Sequence, residues 1–275
     1  MGEEESVAQH YSLGSLEARI VDALVATGFD PERLQPDRLA PVDEFHVGGR
    51  AATVALIDQM DLHQGQRVLD VGSGLGGTAR YLAHTHRVVV TGIDVTEEYV
   101  HVARSLTSRA GLDEQVTFHL GSAGRLPFDD RSFDRACMLH VGMNIADKHA
   151  VFAEIRRVLT DDGVFALYDI MRTGTGGVAY PVPWASTPAT SFLAEPARYR
   201  ELLAKAGLSV VGERDRRDFA LAFFRELRAR FAESGPPSLG LHIVMGHDAA
   251  AKVANMIDNI ERALVSPTEM ICRPE

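Results

Sequence analysis

The chain has 275 residues, 45% of them hydrophobic and 24% charged, with a net charge of -10. That length suits one large α/β domain with appendages, and the acidic balance argues against nucleic acid, whose binders carry a basic face. No apolar stretch approaches the ~20 residues of a membrane span, so neither a nucleic-acid nor a membrane partner is expected.

The first residues, Met1-Gly2-Glu3-Glu4-Glu5-Ser6, are acidic and lack the apolar core of a signal peptide. Gly2 and Ser6 fit the bare myristoylation pattern, a short match set aside because its neighbours are acidic. The pattern predicts a helix over 9–28, with Leu16, Ile20, Leu24 and Val25 on one side. A proline-punctuated loop is expected over 30–43, then a helix from Gly48-Gly49 to Met60. Short apolar runs follow at 67–71, 87–93, 115–120, 133–139 and 163–170, separated by helical segments such as 97–110 and 148–159. This alternation predicts a parallel sheet covered on both faces. Beyond residue 170 come a Gly/Pro/Thr-rich segment at 173–188, helices at 196–206, 219–232 and 248–264, and apolar runs at 208–211 and 265–272. The reading divides the chain into an N-terminal helical cap, 1–60, and a core, 61–275, with lid segments at 173–188 and 235–264. Cys137 and Cys272 are too few for a disulfide framework, and a cytoplasmic setting is expected.

The first strand runs straight into Gly72-Ser73-Gly74-Leu75-Gly76-Gly77. Glycines serve where the backbone turns tightly and a ligand must approach it, and in an open parallel sheet that turn lies at the ligand-binding edge. Asp94, closing the second strand, can accept two hydrogen bonds from a ribose, so turn and carboxylate together describe a nucleoside site. The spelling serves two cofactors: Gly72, Gly74 and Gly77 fit the dinucleotide fingerprint, while Gly72, Gly74 and Gly76 fit that of methyltransferases.

Two further stretches separate them. Residues 121–134, GSAGRLPFDDRSFD, resemble the G-D-A-x-x-L-P-F-x-D-x-S-F-D segment of class I S-adenosylmethionine-dependent methyltransferases, and Val158-Leu159-Thr160-Asp161-Asp162-Gly163-Val164 resembles the R-V-L-x-P-G-G turn of the same family. The resemblance covers roughly residues 11–208. It implies a Rossmann-like α/β sheet, mostly parallel with an antiparallel last strand, behind an N-terminal helical cap. It further implies S-adenosylmethionine as cofactor, held by His46, Asp70, Gly72, Ser73, Gly74, Asp94, Val95, Ser122, Ala123, Leu139 and His140. Ser122 departs from the family, which usually has aspartate there.

Within the family, the chain is similar to phosphoethanolamine and sarcosine/dimethylglycine N-methyltransferases and to sugar O-methyltransferases. That similarity matches Tyr11 to a tyrosine that closes over substrate, and Asp169 to an aspartate ending the fifth strand. It puts Asn144 where the relatives have a catalytic histidine. Tyr11, His140, Asn144 and Asp169 are therefore the catalytic candidates, with His46 and His242 as other possible bases. No metal is expected, since His242 and His247 lack companion ligands. The expected function is methyl transfer to a nitrogen or oxygen of a small metabolite. The alternatives are a nicotinamide-dependent oxidoreductase and a non-catalytic cofactor-binding subunit. Acceptor and oligomeric state are not readable from the sequence.

Overall fold

The computed structural model describes residues 2–12 and 14–275. Met1, and Leu13 within the stretch expected to be one helix, lie outside the described residues. In chain order the helices are α1 (Glu3–Tyr11), α2 (Leu16–Ala26), α3 (Pro36–Asp43), α4 (Gly49–Ile57), α5 (Gly77–His86) and α6 (Glu97–Arg109). They continue with α7 (Lys148–Val158), α8 (Pro196–Lys205), α9 (Arg217–Ser234), α10 (His242–Met245) and α11 (Ala249–Glu261). The strands are β1 (Arg67–Val71), β2 (Val89–Asp94), β3 (Val116–Leu120), β4 (Phe133–Leu139), β5 (Leu159–Arg172), β6 (Leu208–Asp215) and β7 (Val265–Pro274).

Helical connections between β1 and β2, and between β4 and β5, bring those strands back in parallel. The result is one seven-stranded sheet ordered β3-β2-β1-β4-β5-β7-β6, in which β7 runs antiparallel to both its neighbours. This is the mostly parallel α/β architecture expected from the sequence. Successive side chains of β5 alternate between faces. Phe165 and Leu167 pack with Phe152 and Ile155 of α7 and Leu203 of α8. Val164, Ala166 and Tyr168 pack on the other side with Leu56 of α4, Leu82 of α5 and Val100 of α6. Each fully buried Val, Leu, Ile or Phe among them contributes roughly 1.5–3 kcal/mol.

Two local expectations fail for identifiable reasons. The helix expected over 9–28 is two helices, one ending at Tyr11 and the next beginning at Leu16, with Gly14 ahead of the second at φ of +76°. The apolar period belongs to α2 alone, which buries Leu16, Ile20, Ala23 and Leu24, whereas α1 buries none of its residues. The loop expected over 30–43 ends in a helix, α3, because Pro36 occupies its first turn. There a fixed φ and a missing N–H favour a helix rather than break it. Helix α3 buries Leu39 and Val42 in an apolar cluster with α2, Tyr99 of α6 and Val244 of α10.

A candidate cofactor and acceptor cavity

The strand order reverses between β1 and β4, and the crevice at the carboxyl ends of such strands is where open α/β sheets bind ligands. A cavity of about 1290 Å³ occupies it. Single small-molecule sites usually measure ~300–1,000 Å³, so this one has room for two ligands side by side.

One half of the cavity is made chiefly by backbone. The amides of Gly72 and Ser73 both donate to the carbonyl of Ile93, at 2.8 and 3.0 Å, folding the turn after β1 back over the end of β2. Gly72 has φ of +70°, and a Cβ there would stand 2.3 Å from Val141 Cγ2, so only glycine fits. Arg80 of α5 fixes this turn from below: fully buried, its Nη2 donates to the Leu75 carbonyl at 2.6 Å and to Asp43 Oδ2 at 2.9 Å. Asp94 faces the turn. Its Oδ2 accepts the Gly74 amide and its Oδ1 the Thr96 amide, each at 2.9 Å. Two amides orient the carboxylate and leave each oxygen further lone pairs, the arrangement that suits two adjacent sugar hydroxyls. Val95, Gly121, Ala123 and Leu139 line the same half.

Asp70, on the cavity wall, is buried with Oδ2 lacking any partner, while Oδ1 accepts the Cys137 thiol at 3.6 Å. Burial, with the nearby Asp94 and Glu44 carboxylates, raises its pKa to about 7. A buried carboxyl with one oxygen left free beside a glycine turn suits an ammonium group, whose charge would draw the acid toward its ionised form. These residues therefore fit the ribose and amino-acid ends of S-adenosylmethionine.

Side chains make the other half. His140 directly follows β4 with φ of +55°, a conformation non-glycine residues rarely adopt and one that tends to be held at functional sites. Its ring lines the cavity, lies 4.9 Å from Tyr168 and 5.8 Å from His46 between centroids, and has Nε2 buried without a partner. Burial first, and then His46, hold its pKa well below the usual histidine value, so the imidazole is neutral near pH 7. His46 differs. Its Nε2 stands 3.0 Å from Thr53 Oγ1 and 3.3 Å from Glu44 Oε2, and Glu44 is itself paired with Arg50 at 2.6 Å. A second base is thus engaged by its neighbours, while His140 is not.

Tyr11 and Asn144 meet each other. Asn144 Nδ2 donates to the Tyr11 hydroxyl at 3.2 Å, joining α1 to the 3-10 turn Gly142–Asn144, and both residues line the cavity. Around them stands an apolar wall: Val47, Met143, Trp184, Phe224 and Met256 form one buried cluster, with Phe223 and Leu227 of α9 packed against it. Trp184, whose Nε1 donates to Ser191 Oγ at 2.9 Å, is both an anchor of its loop and part of the wall.

Two expected residues stand elsewhere. Asp169 is fully buried; Oδ2 accepts the Tyr199 hydroxyl of α8 at 2.6 Å and Oδ1 its neighbouring Ile170 amide at 2.9 Å. Tyr199 and the backbone thus use its carboxyl, and Asp169 is not among the residues that line the cavity. Ser122 is also off the wall. Its hydroxyl donates to Glu4 of α1 and accepts the Gly124 amide at 3.1 Å. His242 lines the cavity from α10. Among the described residues no group of three or more His, Cys, Asp or Glu is arranged to hold a metal, and no helix is long and apolar enough to cross a membrane.

The sequence reading missed Glu44, Thr53, Phe223 and Phe224. Glu44 lies between the loop expected over 30–43 and the helix expected from Gly48, where the sequence pattern assigns no element. The apolar face of α9 was visible as periodicity, but nothing in it said that it faced a cavity.

Comparison with known proteins agrees with this geometry. The sequence pattern of the family described as a methyltransferase domain matches residues 69–167. Methyltransferase GfsG of Streptomyces halstedii is 33% identical over 173 residues, 62% of this chain and 62% of its own length. 24-Methylenesterol C-methyltransferase 2 of Arabidopsis thaliana is 36% identical over 117 residues, 42% of this chain and 32% of its own. The chain thus spans less than two thirds of the length of either relative. Geranyl diphosphate C-methyltransferase of Streptomyces coelicolor A3(2) shares the fold, with a TM-score of 0.72 at 15% identity over 100% of this chain and 99% of that one. The turn at Gly72, the Asp94 carboxylate and the matched segment carry one conclusion: residues 69–167 are a methyltransferase domain.

Proposed function

We propose that the protein methylates a neutral, largely apolar small molecule, most readily at a hydroxyl oxygen. The observation that carries this is the pairing, in one cavity, of a neutral His140 with a wall of Val47, Met143, Trp184, Phe223, Phe224 and Met256. When bound, S-adenosylmethionine supplies a methyl on a sulfonium, which leaves as a neutral thioether. Asp94 takes the ribose hydroxyls, Asp70 the ammonium, and the Gly72-Ser73-Gly74 backbone lies along the methionyl part. The wall orients the acceptor toward Leu139 and His140 at the end of β4 and excludes water. Alignment at roughly 3–3.5 Å is most of what such a displacement needs. An acceptor hydroxyl must also lose its proton as the new C–O bond forms, and His140 takes it. The Tyr11–Asn144 bond closes α1 over the acceptor.

Nitrogen is the weaker choice, because an amine arrives as ammonium and this wall is apolar. Carbon is the second reading, favoured by relatives that are themselves named C-methyltransferases.

The test is a transfer assay with methyl-labelled S-adenosylmethionine and three acceptor panels: apolar alcohols, unsaturated terpenoids or sterols, and small amines. Label is expected in an ether from the first panel. Label only in C-methylated products establishes the second reading, and label only in amines refutes the acceptor assignment. Tight binding of S-adenosylhomocysteine without transfer to any panel would favour a non-catalytic role.

A further inference from the structure

Resting on that reading, one contact of α1 extends the cofactor site beyond the sheet. Helix α1 buries none of its own side chains, yet polar bonds tie it to three separate parts of the cavity rim. Glu4 accepts the Ser122 hydroxyl, Tyr11 meets Asn144, and His10 Nε2 lies 3.1 Å from the Pro183 carbonyl. The first of these is at the nucleoside end. Asp94 ends β2, and β3 is the next strand in the sheet, pairing Leu120 with Asp94. A nucleoside whose ribose is held by Asp94, with its base lying over Val95, reaches toward the turn that follows β3. Gly121, Ala123 and Gly124 of that turn line the cavity, and so does Glu4, while Ser122 is turned toward Glu4.

The base end of the cavity therefore has a carboxylate supplied not by the β3 turn but by α1. A carboxylate only accepts hydrogen bonds, and the exocyclic 6-amino group of adenine only donates. We propose that Glu4 is the residue that recognises the adenine amino group, with Ser122 and the Gly124 amide holding the turn to which Glu4 docks. The consequence is that cofactor binding and closure of α1 are coupled, since the helix that brings Tyr11 to the acceptor is latched by Glu4 at the cofactor.

The test compares S-adenosylhomocysteine with its 6-oxo analogue, S-inosylhomocysteine, by isothermal titration. In the 6-oxo base the 6-amino donor becomes an acceptor, which faces the Glu4 carboxylate unfavourably, and the remaining donor moves to the ring N1–H, away from the group that Glu4 is proposed to recognise. The wild-type protein is expected to prefer the 6-amino ligand by about tenfold, the scale of one partly exposed charge-assisted hydrogen bond. Glu4→Ala should weaken the 6-amino ligand to near the level of the 6-oxo one. Glu4→Gln, which can donate as well as accept, should bind both about equally. In the Glu4→Ala background, Ser122→Asp should restore the preference by placing a carboxylate on the β3 turn. Because Glu4 is exposed, the variants should keep the wild-type melting temperature. Unchanged affinity and preference in Glu4→Ala, or no preference in the wild type, overturns the assignment of Glu4. Failure of the wild type to bind either ligand is a different result, and overturns the cofactor reading itself.

Discussion

The two halves of the cavity are built by different means. The cofactor half is backbone: a glycine turn, two amides on Asp94, and a buried carboxyl, all within the carboxyl edge of adjacent strands. The acceptor half is side chains, drawn from the β4 end, the 173–188 segment, α9 and α11, residues far apart in sequence. A backbone site tolerates little change, because its geometry is the geometry of the sheet. A side-chain site can be rebuilt one residue at a time without disturbing the fold. Substitutions should therefore separate cleanly, with cofactor affinity moving in one half and acceptor selection in the other.

The largest effect should come from Asp94→Ala. It removes both acceptors for the ribose and leaves the Gly74 and Thr96 amides without partners. Two charge-assisted bonds at about 1.5–3 kcal/mol each predict at least a hundredfold loss of S-adenosylhomocysteine affinity by calorimetry, in a protein that still folds. Retained affinity would show that the nucleoside sits elsewhere.

Next is His140→Ala, expected to lower kcat for a hydroxyl acceptor about a hundredfold, the low end of general-base contributions. Its cofactor affinity should change little. In the wild type, burial holds the His140 pKa below 6.5, so activity should be level through neutral pH and fall only as acidification protonates the ring. The same depression bears on stability. Below pH 6.5 the unfolded chain takes up a proton that the folded His140 refuses, so stability is lost as pH falls through that range. A pH profile still rising above pH 7 would point to another base.

Phe223→Ala should act on the acceptor side alone, raising KM about tenfold for loss of one aromatic contact of the order of 1–2 kcal/mol, with cofactor affinity unchanged. An effect on S-adenosylhomocysteine binding would break the division into halves.

The smallest signal concerns Asp70. With a pKa near 7 it is partly protonated in the free protein, and a bound ammonium would favour the carboxylate. Cofactor binding at pH 7 should release a fraction of one proton, seen as a dependence of the binding heat on buffer ionisation enthalpy. Proton uptake would contradict the assignment.

The same division explains what could be read in the sequence. The strand pattern, the glycine turn and Asp94 were legible because each is a local signal: apolar runs, glycines where φ is positive, an acid at a strand end. His140 was legible by its place at the end of β4. Tyr11 and Asn144 were each singled out alone, but their hydrogen bond spans 133 positions and has no local trace. The bond from Tyr199, thirty residues on, to Asp169 likewise has no local trace, because a position in a strand does not say which face the side chain takes. The wall from α9 and α11 was invisible as a site, since an apolar helix face reads the same whether it meets a core or a cavity.

The position of the cofactor sulfur decides whether the two halves meet at His140. The direct measurement is a crystal structure with S-adenosylhomocysteine. The prediction is ribose on Asp94, ammonium on Asp70, and sulfur between the Gly72 turn and His140, opening onto Trp184, Phe223 and Met256. A ligand with its sulfur turned away from His140, or one seated among α9 and α11, would contradict it.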